Sequence, residues 1–365
     1  MSKNRSASLL FILALAACGG TAPSAEPAAP PQAPPGVAGT AGTGPMLYAY
    51  SPDGNGLVAS YPVDSAGTIK PSAILTGSKT RFVGGSGNLF GGAIALGING
   101  TLYVFDAMRG QLLTFAGQKN GIASGNVAPS HVETLPQNSN VKLNIPQYAG
   151  FAQDTKGNFW TVDRSTGIID RFPIGSGTVK TNATLNAQIA SPHGMNAGTA
   201  STVADDGQGN IYCSCQDHDL ALQLYGITEY NVTGSQPKLV RSFYGIFGDL
   251  NSQFPSTVLH VDPVTQTVYV GLYKPAFVAG YPIATPTGRA KPPRIIGGLR
   301  TKLDATVASI TTNGKGVVYV AQGSDIIEFG PKASGNATPL RVISDPVNLQ
   351  FLGYAYGNLL AIGAP

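Results

Sequence analysis

The chain is short of charge. Only 12% of its 365 residues are Asp, Glu, Lys or Arg, and no run of Lys or Arg forms a stripe that would track phosphates. Nucleic-acid binding is excluded on that ground, because it rests on clustered cations. Histidine is scarce at four residues, and glutamate is limited to Glu26, Glu133, Glu229 and Glu328. So few imidazoles and glutamates leave little from which to build a glutamate-containing metal cage or a His–Glu acid–base pair. No Gly-Ser nucleophile elbow appears, and the Gly-rich stretch Gly84-Gly85-Ser86-Gly87-Asn88 lies between strands with no helix after it, so a phosphate loop is unsupported. Beyond Cys18 no apolar stretch is long enough to span a bilayer. What is plentiful is Gly (47) and Pro (27), a balance that suits short strands joined by tight turns and argues against a helical bundle.

At the N-terminus Lys3 and Arg5 precede an apolar run from Leu9 to Ala17, which predicts a secretory signal peptide over residues 1–17. It ends in Leu15-Ala16-Ala17-Cys18, which resembles the lipobox of bacterial lipoproteins. That resemblance implies acylation of Cys18, which becomes the first residue of an exported protein anchored to the cell membrane or outer membrane. Acyl chains bury methylenes at ~0.8 kcal/mol each, so two or three of them hold a soluble domain on a bilayer. Gly19, rather than Asp, follows the cysteine; in Gram-negative lipoproteins this implies transfer to the outer membrane. With Lys3 and Arg5 removed, the remaining charge is +2. Residues 18–45 carry Pro30-Pro31 and Pro34-Pro35 and few bulky apolar groups, so they are predicted to be a disordered tether.

From Met46 to the end, residues 46–365, the chain repeats itself. Strand cores built around Tyr48, Tyr103, Trp160, Tyr212, Tyr269 and Tyr319 recur at intervals of about 50 to 57 residues, a period typical of arrays and propellers. Turns rich in Asp, Asn and Gly precede most of them, such as Asp154-Thr155-Lys156-Gly157-Asn158 and Asp206-Gly207-Gln208-Gly209-Asn210. Shorter strands follow, such as Ile326-Ile327-Glu328-Phe329. The segment from Ala152 to Asp163 resembles the repeat of NHL-type and related six-bladed β-propellers. The fold class predicted is therefore all-β, a β-propeller of four-stranded antiparallel blades, with seven blades as the alternative to six. The N- and C-terminal strands are expected to close it. Asn348 to Tyr356 reads as the innermost strand missing from the first repeat, and Leu359-Leu360-Ala361-Ile362 as a seventh aromatic-strand position without its aromatic.

Function is less legible, because propellers serve enzymes and binding proteins alike. Resemblance to the calcium-dependent gluconolactonase family implies a divalent cation held by a Glu, an Asn and Asp-type oxygens. The chain departs from that pattern: no glutamate stands near the start of the first blade, Glu133 reads as part of a long loop, and Glu229 and Glu328 fall on outer strands. No metal residue and no cofactor is assigned, calcium entering only under the alternative. Resemblance to streptogramin-lyase propellers implies a histidine base. His260, on a predicted innermost strand, and His193, in a loop entering the fourth blade, are the candidates, though no paired acid is evident. Asp154, Asp205, Asp206 and Asp262 read as turn-makers. Cys213 and Cys215 share a strand face, and three readings stay open: apolar packing, a strained disulfide, or a metal site with Asp217 and His218. Tyr244, Phe247, Tyr273 and Tyr281 are placed in loops between blades, as ligand or partner contacts. The function expected is a non-catalytic platform for an envelope protein or small ligand, with a metal-dependent, lactonase-like hydrolase or lyase in the central channel as the alternative.

Overall fold

Aspartates set three of the innermost hairpins. Asp154 Oδ1 accepts the backbone amides of Lys156 and Asn158, both at 2.9 Å, and so reverses the chain between strands Tyr148–Gln153 and Asn158–Asp163. Asp206 does the same with Gln208 at 2.7 Å and Asn210 at 3.0 Å, and Asp262 with Val264 at 3.0 Å and Thr265 at 3.1 Å. A short side-chain acceptor supplies the bonds a turn's own backbone leaves unmade, which is why this residue recurs at these corners.

The computed structural model of the chain describes residues 44–363, apart from 53–55, 83–91, 98–99, 107–108, 118–121, 136–147, 164–167, 174–182, 186–196, 218–224, 235–236, 245–257, 273–274, 305 and 352–357. The signal peptide, Cys18 and the tether up to residue 43 lie outside the described residues. Strands succeed one another in six antiparallel sheets. From inside outwards, blade 1 holds Leu360–Gly363, Met46–Ser51, Leu57–Pro62 and Ala73–Thr76. Blade 2 holds Gly92–Leu96, Leu102–Asp106, Gln111–Phe115 and His131–Thr134. Blade 3 continues from its first hairpin with Ile168–Pro173 and Ala183–Leu185. Blade 4 holds Ala197–Asp205, Asn210–Asp217, Tyr225–Asn231 and Lys238–Tyr244. Blade 5 holds Val258–Asp262, Thr267–Leu272, Phe277–Pro282 and Arg294–Gly297. Blade 6 holds Ser309–Thr312, Val318–Gln322, Asp325–Phe329 and Arg341–Ser344. Each innermost strand touches those of the blades before and after it, with blade 6 meeting blade 1. The fold is a six-bladed β-propeller.

The seventh-blade reading is corrected by the C-terminus. Leu360–Gly363 is the innermost strand of blade 1, pairing Tyr48 with Ala361 and Met46 with Gly363. Asn348 to Phe351 does not take that position. Asp345 accepts the amides of Val347 at 3.2 Å and Asn348 at 3.1 Å, making a turn, and Phe351 forms a single bridge to Gly323 of blade 6. Ala361 was the better candidate on sterics: the residue opposite the aromatic is also Ala95, Ala152 and Ala204 in blades 2, 3 and 4.

The apolar core is divided among the seams. Trp160, Val203 and Cys213 pack between blades 3 and 4, Phe105, Phe159 and Phe172 between blades 2 and 3, and Tyr269, Val320 and Ile327 between blades 5 and 6. Each such side chain contributes about 1.5–3 kcal/mol on full burial, which one blade alone cannot collect on both faces. Cys213 is a free, fully buried thiol in this packing, so the disulfide reading falls.

Outer straps reinforce the seams. The segment before the outermost strand of one blade lies parallel to the outermost strand of the preceding blade. Gly67–Thr68 of blade 1 pairs with Ile343 and Ser344 of blade 6, and Gly288–Arg289 of blade 5 pairs with Phe243 and Tyr244 of blade 4. Single bridges do the same between Leu75 and Gly125 and between Ile296 and Gly335. In the last two straps Ser124-Gly125-Asn126 and Ser334-Gly335-Asn336 play matching parts. Asn126 Oδ1 accepts the Lys79 amide at 2.7 Å, and Asn336 Oδ1 accepts that of Arg300 at 2.6 Å.

Candidate ligand-binding site

Towards the end of each innermost strand stand half-exposed residues, one register position past the residue that faces the aromatic in blades 1 to 4 and 6, and at that facing position in blade 5. Blades 3 to 6 contribute Gln153, Asp205, His260 and Thr312, whereas blades 1 and 2 contribute Ile362 and Leu96. The mouth is therefore polar on one arc and apolar on the other. His260 stands out within its row. The position opposite the aromatic is alanine in blades 1 to 4 and Thr311 in blade 6, but His260 faces Tyr269 in blade 5.

Ionisable groups of this arc tie adjacent blades together. His260 Nε2 is 3.0 Å from Thr312 Oγ1 of blade 6. Burial pushes the imidazole down to about 4, against a smaller opposing pull from Asp262, so it is neutral at neutral pH. Asp205 accepts the Gln153 amide of blade 3 at 2.9 Å and the Gly207 amide at 3.1 Å. Burial pushes its carboxyl up to about 6, and the nearby Asp206 and Asp154 add to the rise while the two amides oppose it.

The other predicted residues fall elsewhere. Tyr281 is not in a loop. It sits in strand Phe277–Pro282, fully buried, its ring 5.3 Å from that of Phe243 in blade 4. Strand alternation turns it into the seam, so it cannot serve as a surface contact. Tyr244 ends the outermost strand of blade 4 rather than lying in a loop; its side chain, with His193, Phe247, Tyr273 and Cys18, lies outside the described residues. Glu133 also leaves its expected loop for strand His131–Thr134, where its carboxylate is buried 3.2 Å from His131 Nε2. Glu229 and Glu328 lie on third strands, paired with Arg241 at 2.7 Å and Arg341 at 3.2 Å. No described glutamate stands on an innermost strand, and among the described residues no three His, Cys, Asp or Glu gather as a metal site. Asp205, Gln153 and Thr312 were missed as mouth residues. Aligning the six repeats on their aromatics would have found them.

No protein-family model matches the chain, and no curated protein matches it. Solved structures resemble it at low identity. A chain of the nidogen/laminin complex is 13% identical, with 87% of this chain and 97% of that one covered at a TM-score of 0.50. A functionally unknown protein from Desulfotomaculum acetoxidans is 10% identical, with coverage of 88% and 99% and a TM-score of 0.49. The WD40 domain of Toxoplasma gondii coronin is 9% identical, with coverage of 85% and 72% and a TM-score of 0.48. At 13% identity the likeness to the nidogen/laminin chain speaks to the fold alone.

Proposed function

We propose that this protein is an envelope lipoprotein, anchored through Cys18, whose propeller is a non-catalytic platform binding a small ligand or an envelope protein at the mouth of the central channel. The observation that carries the reading is the two-sided mouth, with Gln153, Asp205, His260 and Thr312 along one arc and Ile362 and Leu96 along the other. An apolar wall with a few placed polar groups is the usual make-up of a ligand site. Its titratable groups also hold blades together: Asp205 accepts two backbone amides and His260 meets Thr312.

Purified full-length protein in detergent tests the platform reading through its metal content and its thermal midpoint with and without EDTA. Stoichiometric metal with an EDTA-sensitive midpoint would overturn it in favour of a metal-dependent hydrolase. The anchor has its own check. Cys18→Ser should abolish incorporation of labelled palmitate and release the protein from the membrane fraction; retention of both would remove the lipoprotein reading.

A further inference from the structure

Blades 4, 5 and 6 place an arginine at the same position of their outermost strands: Arg241, Arg294 and Arg341. Across from it on the third strand stand Glu229 in blade 4 and Glu328 in blade 6, and beyond these Tyr212 and Tyr319 on the second. Both glutamates are ion-paired with their arginines. Blade 5 keeps the tyrosine, Tyr269, and the arginine, but its third-strand residue is Gly280. The row of a tyrosine, a carboxylate and an arginine has lost its middle member.

A cavity of about 350 Å³ lies at that place, lined by Tyr269, Gly280, Arg294 and Lys315. Arg294 is held without a carboxylate. Its Nε donates to the Ala333 carbonyl at 2.9 Å, Nη1 to the Gly316 carbonyl at 3.1 Å and the Tyr269 hydroxyl at 2.9 Å, and Nη2 to the Gly330 carbonyl at 2.8 Å. A guanidinium has five N–H donors, so one remains, and its charge is met by neutral dipoles only. The Tyr269 hydroxyl accepts from Arg294, and its own hydrogen has no acceptor among the described residues. In blade 4, by contrast, Glu229 stands opposite Tyr212 and is ion-paired with Arg241. The Lys315 ammonium, exposed at the rim, has no carboxylate within ion-pairing reach among the described residues. Pro282, Pro293 and Pro331 supply apolar walls.

We infer that the seam between blades 5 and 6 is a binding site for a small carboxylate with an apolar body, whose carboxylate takes the position that Glu229 and Glu328 fill in the neighbouring blades. The guanidinium is fixed in advance by its four bonds, so binding requires little further ordering of the protein. Tyr269 donates its hydroxyl hydrogen, Arg294 its remaining N–H, and Lys315 adds charge at the entrance. The apolar body packs on the Tyr269 ring and the prolines. None of the residues lining this seam is one of the mouth residues, and the site stands whether or not the mouth binds anything.

Titration of the full-length protein with phenylacetate, followed by calorimetry, tests the site against its neutral isostere phenylacetamide. Saturable binding of the acid is expected, with the amide at least about tenfold weaker. Lys315→Glu, an exposed change at the rim, should weaken the acid about tenfold without moving the thermal midpoint, and Tyr269→Phe should weaken it several-fold. Gly280→Glu should abolish binding by restoring the missing carboxylate. Its Cβ would sit 3.1 Å from the Tyr269 ring, so the rim variant carries the test if that protein does not fold. A blocked tetrapeptide with one glutamate separates the sources of the carboxylate, since tighter binding than phenylacetate assigns the site to a protein partner's acidic side chain. Equal affinity for acid and amide, indifference to Lys315→Glu, or no saturation by either probe up to on the order of 10 mM would overturn the inference.

Discussion

The Ser309 hydroxyl accepts the backbone amide of Leu360 at 3.1 Å and that of Leu359 at 2.9 Å. One fully buried side chain of blade 6 thus fastens the chain's last strand into blade 1, about fifty residues on. Beside it the Ile94 amide of blade 2 donates to the Asn358 carbonyl at 2.7 Å. Ser309→Ala strands two buried amides and should cost about 1–3 kcal/mol. The fall should appear in the thermal midpoint and as faster amide exchange in Leu360–Gly363. An unchanged midpoint would mean that the seam between blades 6 and 1 does not depend on this hydroxyl.

Asp154 serves a turn and a core at once. Besides two turn amides, its Oδ2 accepts from Asn158 Nδ2 at 2.8 Å and from the buried Trp160 indole N–H at 3.0 Å. Asp154→Ala is therefore expected to destabilise by about 2–4 kcal/mol, more than a turn aspartate without a buried indole partner. A double-mutant cycle with Trp160→Phe should return a coupling of about 1 kcal/mol, and strict additivity of the two changes would show that the indole bond contributes nothing.

The two ion pairs should differ in strength. In the blade 4 pair the side chains of Glu229 and Arg241 are 4% and 26% exposed, whereas Arg341, paired with Glu328, is 40% exposed. Removing Glu229 leaves a half-buried cation unpaired and should cost about 3 kcal/mol. Glu328→Ala leaves the more exposed Arg341 with the Val63 carbonyl and should cost about 1 kcal/mol or less. Chemical denaturation of the two variants reads the order directly; equal losses would contradict it. Burial holds both carboxyls above their ordinary range in spite of their arginines.

The mouth predicts opposing pH effects. His260 is depressed from 6.5 to about 4, so the folded state binds fewer protons than the unfolded chain, and stability from this group is lost as pH falls through that window. Asp205 is raised from 3.8 to about 6, so its contribution is full below 3.8 and is lost as pH rises towards 6. Each amounts to no more than about 3 kcal/mol, and less where water reaches the half-exposed group. Thermal midpoints between pH 4 and 7 should tilt in opposite senses: His260→Asn should remove a loss on the acid side, and Asp205→Asn a loss on the neutral side. Parallel profiles for wild type and both variants would refute this account of the mouth.

The sequence carried the repeat because each blade needs the same local parts. The aromatic of the second strand recurs in all six blades and the aspartate at the first corner in blades 3 to 5; both are short-range requirements, so they appear as a spacing. Tyr281 shows where that legibility ends. Its flanking prolines and glycines read as a loop, yet alternation in Phe277–Pro282 buries it against Phe243. The C-terminus shows it again. Asn348 to Tyr356 and Leu359 to Ile362 are both apolar enough to be a strand, and only the place already prepared beside Tyr48 distinguishes them.

By itself the sequence determined an all-β repeat and its turn chemistry, both written within a few residues of one another. The tertiary structure alone decided which segment completes blade 1, that Asp205 and His260 share a mouth with Leu96 and Ile362, and that Gly280 interrupts a row of paired charges. Those relations join residues on different strands or blades, often tens to hundreds of positions apart. They follow from strand register and from packing between sheets, which no local pattern along the chain records.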